Sequence, residues 1–131
     1  LQAALRLNPT NPRYLFHQGL ILKKMGKAQE AERSFRDVLK LAPSSSFALY
    51  VEALRALEEG DSEKALNKSD EARRKDPEDS FADLVRGQAL EKMGKLDEAL
   101  SAYREGLQKD PCDTDLKEAL REAEGKAGSA P

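Results

Sequence analysis

Apolar, small and polar residues recur along this chain with one fixed spacing. Prolines stand 34 residues apart, and three columns of small residues keep the same step. The prolines are Pro9, Pro43, Pro77 and Pro111, and the small columns are Gly26, Gly60 and Gly94, then Ala31, Ala65 and Ala99, then Gly19, Ala53 and Gly87. A fixed period of this size is typical of an array of structural repeats.

Each period predicts a pair of helices joined by a tight turn. In the first period, the spacing of apolar residues predicts helices over residues 12–25 and 28–41. Gly26 and its equivalents can take the left-handed conformation that ends a helix. Helix N-termini are expected to be capped by Asn11, by Ser45 or Ser46, by Asp61, and by Asp79 or Ser80.

The Gly19 and Ala31 columns are predicted to face each other across the two antiparallel helices of each pair. Small side chains at both positions allow the two backbones to approach closely. We therefore expect a bulky residue in either column to push the helices apart.

Along these columns the chain resembles the tetratricopeptide repeat family. The third period carries the fullest match, with Leu84, Gly87, Leu90, Gly94, Ala99, Tyr103, Gly106 and Pro111. The first is nearly as complete, with Leu15, Gly19, Leu22, Gly26, Ala31, Phe35, Val38 and Pro43. The middle period departs most, because Ala56 and Ser69 replace a leucine and an aromatic ring. The resemblance implies an all-α fold, in which antiparallel helix-pair repeats stack as a right-handed α-solenoid.

The predicted organisation is three repeats with a shorter element at each end. The repeats cover residues 12–45, 46–79 and 80–113. Residues 1–11 read as the end of a preceding repeat's second helix, so the chain is expected to begin within a repeat of a longer protein. Residues 114–124 are predicted to form a capping helix that covers the last apolar face of the array, and residues 125–131 a disordered tail.

Composition excludes some functions and leaves the compartment undecided, with the cytoplasm as the default. The net charge is −2 over 131 residues, and basic and acidic residues are interspersed, which argues against a nucleic-acid partner. There is no apolar run of membrane length, so direct membrane insertion is not expected. Cys112 is the only cysteine, which rules out an intrachain disulfide, and it is interpreted as an incidental loop thiol.

No catalytic, cofactor or metal site is predicted, and the chain is not expected to be an enzyme. His17 is the only histidine, which excludes a metal site with several histidines. No glycine-rich phosphate loop or nucleophile elbow occurs, and the carboxylates are scattered over solvated faces.

The resemblance implies that the first helices line a concave face that holds a peptide. The groove residues predicted from the helix period are apolar or aromatic; they are Phe16, Leu20, Phe47, Tyr50, Leu54, Phe81 and Leu84. Relatives that bind heat-shock chaperones grip a terminal carboxylate with lysine, asparagine and arginine. Here the clamp positions hold Phe16, Leu20, Val51, Phe81 and Val85, so no chaperone-type carboxylate clamp is expected.

The leading functional prediction is a protein-interaction module that binds an apolar segment of a partner, since soluble monomers rarely expose such a patch. Two alternatives stay open. Some of these residues can be core between neighbouring first helices. The same apolar surface can also serve self-association, or packing against repeats that precede this segment.

A pair of departures from the repeat pattern predicts an ion pair. Arg73 stands where other periods have Leu5, Leu39 and Leu107, and Asp83 stands where they have Leu15 and Leu49. Both lie at similar heights on consecutive antiparallel helices, on either side of the turn at Pro77. We therefore expect an Arg73–Asp83 ion pair in place of an apolar contact.

Overall fold

The predicted helix pairs are present. The computed structural model describes residues 11–129, with only the backbone of Ser129. Within that range the helices are α1 Pro12–Lys24, α2 Ala28–Leu41, α3 Ser46–Glu58, α4 Ser62–Lys75, α5 Phe81–Lys92, α6 Leu96–Lys109 and α7 Thr114–Ser129, and no strand occurs there. The predicted end of a preceding helix falls almost wholly on residues 1–10, which lie outside the described residues, as do residues 130 and 131.

The chain divides into two compact units. The first is Leu1–Val51, with α1, α2 and the beginning of α3, and the second is Glu52–Pro131, with the rest of α3 and α4 to α7. In the first unit, α1 packs against α2. In the second, α5 packs against α4, α6 and α7, and α6 also packs against α7.

The turn within each helix pair ends on a glycine in the left-handed conformation. Gly26, Gly60 and Gly94 have φ values of 81°, 82° and 77°. The residue after each glycine donates its backbone N–H to a carbonyl five residues earlier, for example Lys27 N to Leu22 O at 2.9 Å. This bond closes a Schellman motif, which satisfies a carbonyl at the helix end. Only glycine adopts such a φ without strain, which explains why glycine recurs at this position in every period.

The second helix of each pair ends directly before the periodic proline. Ala42, Asp76 and Asp110 have φ values of −141°, −138° and −139°. A residue that precedes proline is driven out of the helical region by a clash with the proline ring. The prolines therefore set the length of α2, α4 and α6.

Side-chain caps begin several helices at the predicted places. Asn11 Oδ1 accepts a hydrogen bond from Arg13 N at 2.9 Å, and Asp61 Oδ1 accepts one from Lys64 N at 3.0 Å. Of the paired candidates, Ser45 Oγ accepts from Ala48 N at 3.2 Å, and Asp79 Oδ1 accepts from Phe81 N at 3.0 Å. Each bond satisfies a donor that the helix itself leaves unpaired.

The last helix is longer than predicted. The disordered tail was expected from residue 125, but α7 continues to Ser129, so that prediction is wrong for residues 125–129. Two contacts explain the difference. Lys126 Nζ lies 2.8 Å from Glu91 Oε2, and Ala127 packs against the apolar cluster around Leu84 and Leu116.

On the exposed face of α7, two charged residues stand in columns that hold other residue types in the earlier first helices: leucine or the buried Asp83 in one, and glycine or alanine in the other. By the 34-residue period, Lys117 corresponds to Leu15, and Arg121 corresponds to Gly19. Both residues are exposed, as are Glu118 and Glu124. These charged side chains are solvated, and the capping role of this helix stays a prediction.

The small column in the first helices lies against aromatic rings of the second helices. A Cβ atom built on Gly19 would lie 2.4 Å from Phe35 Cε1, and one built on Gly87 would lie 2.2 Å from Tyr103 Cε1. The predicted facing partner was the Ala31 column, but the atoms nearest to Gly19 belong to Phe35. A ring fills more space than a methyl group, so the glycine is needed to admit it.

Candidate functional site

The seven predicted groove residues differ in their accessibility. Phe16 and Tyr50 are each 1% exposed and Leu84 is 8% exposed, so these three are core residues. The partly exposed members are Leu20, Phe47, Leu54 and Phe81. The alternative that some of these residues are core therefore holds for three of the seven. Tyr50 in particular offers almost no surface to a partner, contrary to its prediction as a groove residue.

In the first unit, three buried rings and the partly exposed ring of Phe47 form one aromatic cluster. The Phe16 ring lies 5.9 Å from the rings of Phe35 and Phe47, and 5.5 Å from that of Tyr50, between centroids. Phe47 contacts Tyr50 edge-on at 5.9 Å and carries the Arg13 guanidinium over its ring at 5.3 Å. These distances are favourable for aromatic pairs and for a cation on a ring face. Phe47 is therefore held firmly while part of its ring stays accessible.

In the second unit, Leu54 and Phe81 pack at the edge of a shared apolar cluster. Its buried members are Ala53, Ala56, Leu57, Ala65, Val85 and Ala89. The cluster holds both side chains in place from one side, and each remains partly exposed on the other. The structure therefore brings together two of the predicted groove residues as accessible apolar contacts.

The positions of the chaperone-type clamp carry no polar group. Val51 and Val85 are fully buried, and Phe16 is nearly so. Leu20 and Phe81, which are partly exposed, are apolar. None of these side chains can donate a hydrogen bond to a carboxylate.

The predicted ion pair is present and belongs to a larger charged cluster around the buried carboxylate of Asp83. Arg73 Nε lies 3.5 Å from Asp83 Oδ1, which confirms the prediction. Lys109 Nζ lies 2.7 Å from Asp83 Oδ2, and Arg73 Nη2 donates a hydrogen bond to Glu105 Oε2 at 2.6 Å. The sequence pattern did not indicate Lys109 or Glu105, because both lie on α6, whereas the departures from the repeat pattern lie on the two helices beside Pro77.

Burial is the largest influence on the pKa of Asp83. Its side chain is fully buried, and loss of hydration raises the pKa of the carboxyl above the ordinary value of 3.8. Contacts with Lys109 and Arg73 lower the pKa, and the nearby Glu105 charge raises it, but burial is the largest effect. The cluster thus carries a buried charge whose hydration is only partly replaced.

A second polar network links three helices of the second unit. Tyr103 Oη donates a hydrogen bond to Glu91 Oε1 at 2.5 Å, and Lys126 Nζ lies 2.8 Å from Glu91 Oε2. Burial and the Glu91 carboxylate raise the pKa of Tyr103, so its hydroxyl keeps its proton. Glu91 therefore ties α5 to α6 and to the last turns of α7.

Neither the lone histidine nor the lone cysteine lies in an arrangement that carries chemistry. His17 is exposed, and its ring meets Phe16 at 5.8 Å between centroids. Cys112 is a free, exposed thiol. In the described part of the chain, no three His, Cys, Asp or Glu side chains are grouped so that they could hold a metal ion. Among residues 11–129, no helix has both the length and the apolar character needed to span a bilayer.

Comparison with known proteins gives family matches and similar structures. Two models of the tetratricopeptide repeat family match residues 12–45 and 50–113, which together cover well over half of the chain. A search of curated proteins found no significant match. Solved structures resemble the chain in fold, at 21% sequence identity in each of three cases.

The first of the three is a thermophilic TPR protein of Thermus thermophilus, with a TM-score of 0.72 over 90% of this chain and 66% of that protein. The second is the first TPR of Spaghetti (RPAP3) bound to the HSP90 peptide SRMEEVD, with a TM-score of 0.66 over 90% of this chain and 96% of that one. The third is the second TPR domain of human RPAP3 in complex with the HSP70 peptide SGPTIEEVD, with a TM-score of 0.61 over 87% of this chain and 98% of that one. With its periodic helix pairs, left-handed turn glycines and two family matches, this chain belongs to the tetratricopeptide repeat family.

Proposed function

We propose that this chain is a non-catalytic protein-interaction module that binds an apolar segment of a partner on its first helices. The observation that carries the proposal is that each compact unit keeps two of the predicted groove residues partly exposed on first helices. They are Leu20 and Phe47 in the first unit, and Leu54 and Phe81 in the second. In the second unit Leu54 and Phe81 border the same apolar cluster, and a contiguous exposed apolar patch is typical of a binding surface.

The rigidity of these side chains supports the proposal. Phe47 is held by Phe16 and Tyr50, and Phe81 is held by the cluster around Ala65 and Val85. A side chain that is already fixed loses little conformational entropy when a partner covers it. Large rings contribute most when they are desolvated at an interface. Phe47 and Phe81 are therefore the proposed anchors.

The chemistry of the partner follows from the same side chains. Two similar proteins hold chaperone peptides, as described above. In this chain the corresponding clamp positions are apolar, and Val51 and Val85 are buried. The proposed ligand is thus recognised by apolar contact and not by a terminal carboxylate.

The experiment begins with a peptide obtained by selection from a random displayed library against the whole chain. Calorimetry then compares the binding of that peptide to the parent, to Leu54→Ser and to Phe81→Ala. We expect each variant to lose at least about 1 kcal/mol of binding free energy. Raising the salt concentration is expected to change the affinity little, because apolar contacts are not screened.

Ile21→Ser serves as the matched control. Ile21 is 51% exposed on α1 and was not predicted to line the groove. Its replacement is expected to leave the affinity unchanged. Equal losses in Ile21→Ser and Phe81→Ala, or a strong dependence on salt, would overturn the assignment of the binding surface.

Self-association is the second candidate function, and one observation favours it. Ile21 and Met25 lie one turn apart, at α1 and its C-cap, and are 51% and 60% exposed. Two apolar residues at this spacing lie on the same side of a helix and can bury each other in a dimer. Light scattering distinguishes the two candidates, because a monodisperse monomer at high concentration excludes assembly through this surface.

A further inference from the structure

The net charge changes sign at the boundary between the two compact units, from positive before it to negative after it. Residues 12–51 hold 7 Lys and Arg against 3 Asp and Glu, whereas residues 52–131 hold 14 against 21. The net charge of −2 conceals this separation. An asymmetry of this size changes which molecules each part attracts.

Much of the basic charge in the first unit lies along one side of α2. Arg33, Arg36 and Lys40 are spaced three and four residues apart, so they lie on neighbouring positions of the helix surface, and all three are exposed or partly exposed. Together with Asp37 and Leu39 they line a shallow depression. We call this surface the α2 face. A second depression, which shares Arg33 and Arg36 and is also lined by Glu32, continues it toward Ala28.

The guanidinium group of Arg36 is available for an outside partner. The contact of Arg36 Nε with Glu32 Oε1 is 4.0 Å long, and the Arg36 side chain remains 66% exposed. An ion pair at that distance in water is weak. By contrast, arginines of the second unit form closer pairs with carboxylates, such as Arg86 Nε with Asp70 Oδ1 at 2.9 Å.

We infer that the α2 face is a docking surface for an acidic segment of a protein partner. Carboxylates of that segment pair with Arg33, Arg36 and Lys40, and arginine can bind a carboxylate with two parallel hydrogen bonds. Leu39, which is partly exposed, offers an apolar contact between them. The inference is independent of the proposed groove, because the groove lies on first helices and α2 is a second helix.

The same face is poorly suited to nucleic acid. Asp37 lies within it and would repel a phosphate backbone. The rings of Phe16, Phe35 and Tyr50 are buried, so they cannot stack on bases. An acidic peptide, whose carboxylates can be spaced to avoid Asp37, suits this mixture of charges better than a continuous polyanion.

The test uses the full chain and a fluorescent peptide of about ten residues in which glutamate and leucine alternate. Anisotropy titrations compare the parent with a variant that carries Arg33→Glu and Arg36→Glu. The matched control carries Arg74→Glu and Lys75→Glu, two exposed basic residues of α4 within the acidic part of the chain. Thermal unfolding checks that both variants fold, and the milder Arg33→Gln with Arg36→Gln replaces the first variant if it does not.

The α2 variant is expected to bind at least about tenfold more weakly, and the control to bind within about twofold of the parent. Binding should also weaken when ionic strength rises well above about 0.1 M, where screening acts within about 10 Å. Equal losses in both variants, equal binding of a peptide with glutamine in place of glutamate, or no binding by the parent would overturn the inference. So would tighter binding of single-stranded DNA of equal charge, which indicates nucleic acid. Parent self-association that is lost in the α2 variant indicates a second copy of the chain as the occupant, and also overturns it.

Discussion

The Tyr103 ring fills the space in which a side chain on Gly87 would begin. A Cβ atom on Gly87 would lie 2.2 Å from Tyr103 Cε1, far inside the contact distance of two carbon atoms. In the hairpin of α5 and α6, the aromatic ring of Tyr103 therefore packs directly against the backbone of Gly87. The buried hydroxyl of the same residue donates to Glu91, which fixes the ring in this position.

Gly87→Ala is expected to destabilise the chain by about 1–3 kcal/mol, because the added methyl group displaces a fully buried ring. Urea unfolding of the parent and the variant measures the change. Gly125→Ala is the control, since Gly125 also lies in a helix but a Cβ there meets nothing within 4 Å. That substitution is expected to stabilise by up to about 1 kcal/mol. Similar effects at both sites would mean that the ring does not limit the space at Gly87.

Ala65→Leu tests the packing of the middle repeat. Ala65 is fully buried in the cluster with Ala53 and Val85. Extra methylene groups in a filled core cost about 1–3 kcal/mol of unfolding free energy. The denaturant midpoint should fall accordingly, while Asn67→Leu, at an exposed position of the same helix, should leave it nearly unchanged. An unaltered midpoint for Ala65→Leu would contradict the close packing of α4.

A double-mutant cycle tests the Arg73–Asp83 pair. We expect a coupling free energy above the roughly 0–1 kcal/mol of exposed pairs, because the Asp83 side chain is fully buried. Replacing both residues by leucine removes the buried carboxylate, but it also removes the contacts that Lys109 and Glu105 make with this pair, so the double variant should recover only part of the loss. The control cycle uses Arg104 and Glu124, whose side chains are 55% and 51% exposed. Equal coupling in both cycles would show that burial adds nothing at Asp83.

The raised pKa of Asp83 predicts how stability depends on pH. A carboxyl group whose pKa is higher in the folded chain binds its proton more tightly there, so protonation favours folding. Relative to Asp83→Asn, the parent should gain unfolding free energy as the pH falls through the raised pKa toward the ordinary value of 3.8. This gain should be lost as the pH rises again. Urea unfolding of both proteins across that range measures the difference, and a relative loss on acidification would show that the ion pairs outweigh burial.

Tyr50→Ala is expected to act on stability and not directly on binding. Because Tyr50 is 1% exposed and contacts Phe16 and Phe47, its truncation should destabilise the fold by about 3–5 kcal/mol. Denaturant unfolding measures this loss. A Tyr50→Ala protein with the stability of the parent but weakened peptide binding would restore Tyr50 as a contact residue.

The parts of the structure that depend on local geometry could be predicted from the sequence. The left-handed φ of Gly26 and the helix end before Pro43 follow from the chemistry of single residues. The Arg73–Asp83 pair could also be predicted, because two departures from a regular pattern fell at one junction. In these cases the 34-residue period predicts which positions correspond between repeats, and the residue types predict the interaction at each position.

The parts that depend on neighbouring helices could not be predicted in the same way. Helical spacing places Phe16 and Phe47 on similar faces, but Phe16 is 1% exposed whereas Phe47 stays partly exposed. Residues 125–129 were predicted to be part of a disordered tail, whereas they continue α7, and Lys126 in this segment pairs with Glu91 of α5. Burial and long-range contacts depend on how several helices pack together, so they cannot be predicted from the periodicity of one helix.

The ring-on-glycine contact also bears on how such a chain can be lengthened or shortened by recombination. Gly19 with Phe35, and Gly87 with Tyr103, each lie within one 34-residue period, and where the second helix has Ser69 the first has Ala53. Duplication or excision of a whole period therefore keeps each contact with its own partner. The Arg73–Asp83 pair spans two periods instead, so an exchange at that boundary would leave a buried carboxylate beside a foreign neighbour. Recombination at the junction between the second and third repeats is therefore expected to destabilise the array, because it would separate Arg73 from Asp83.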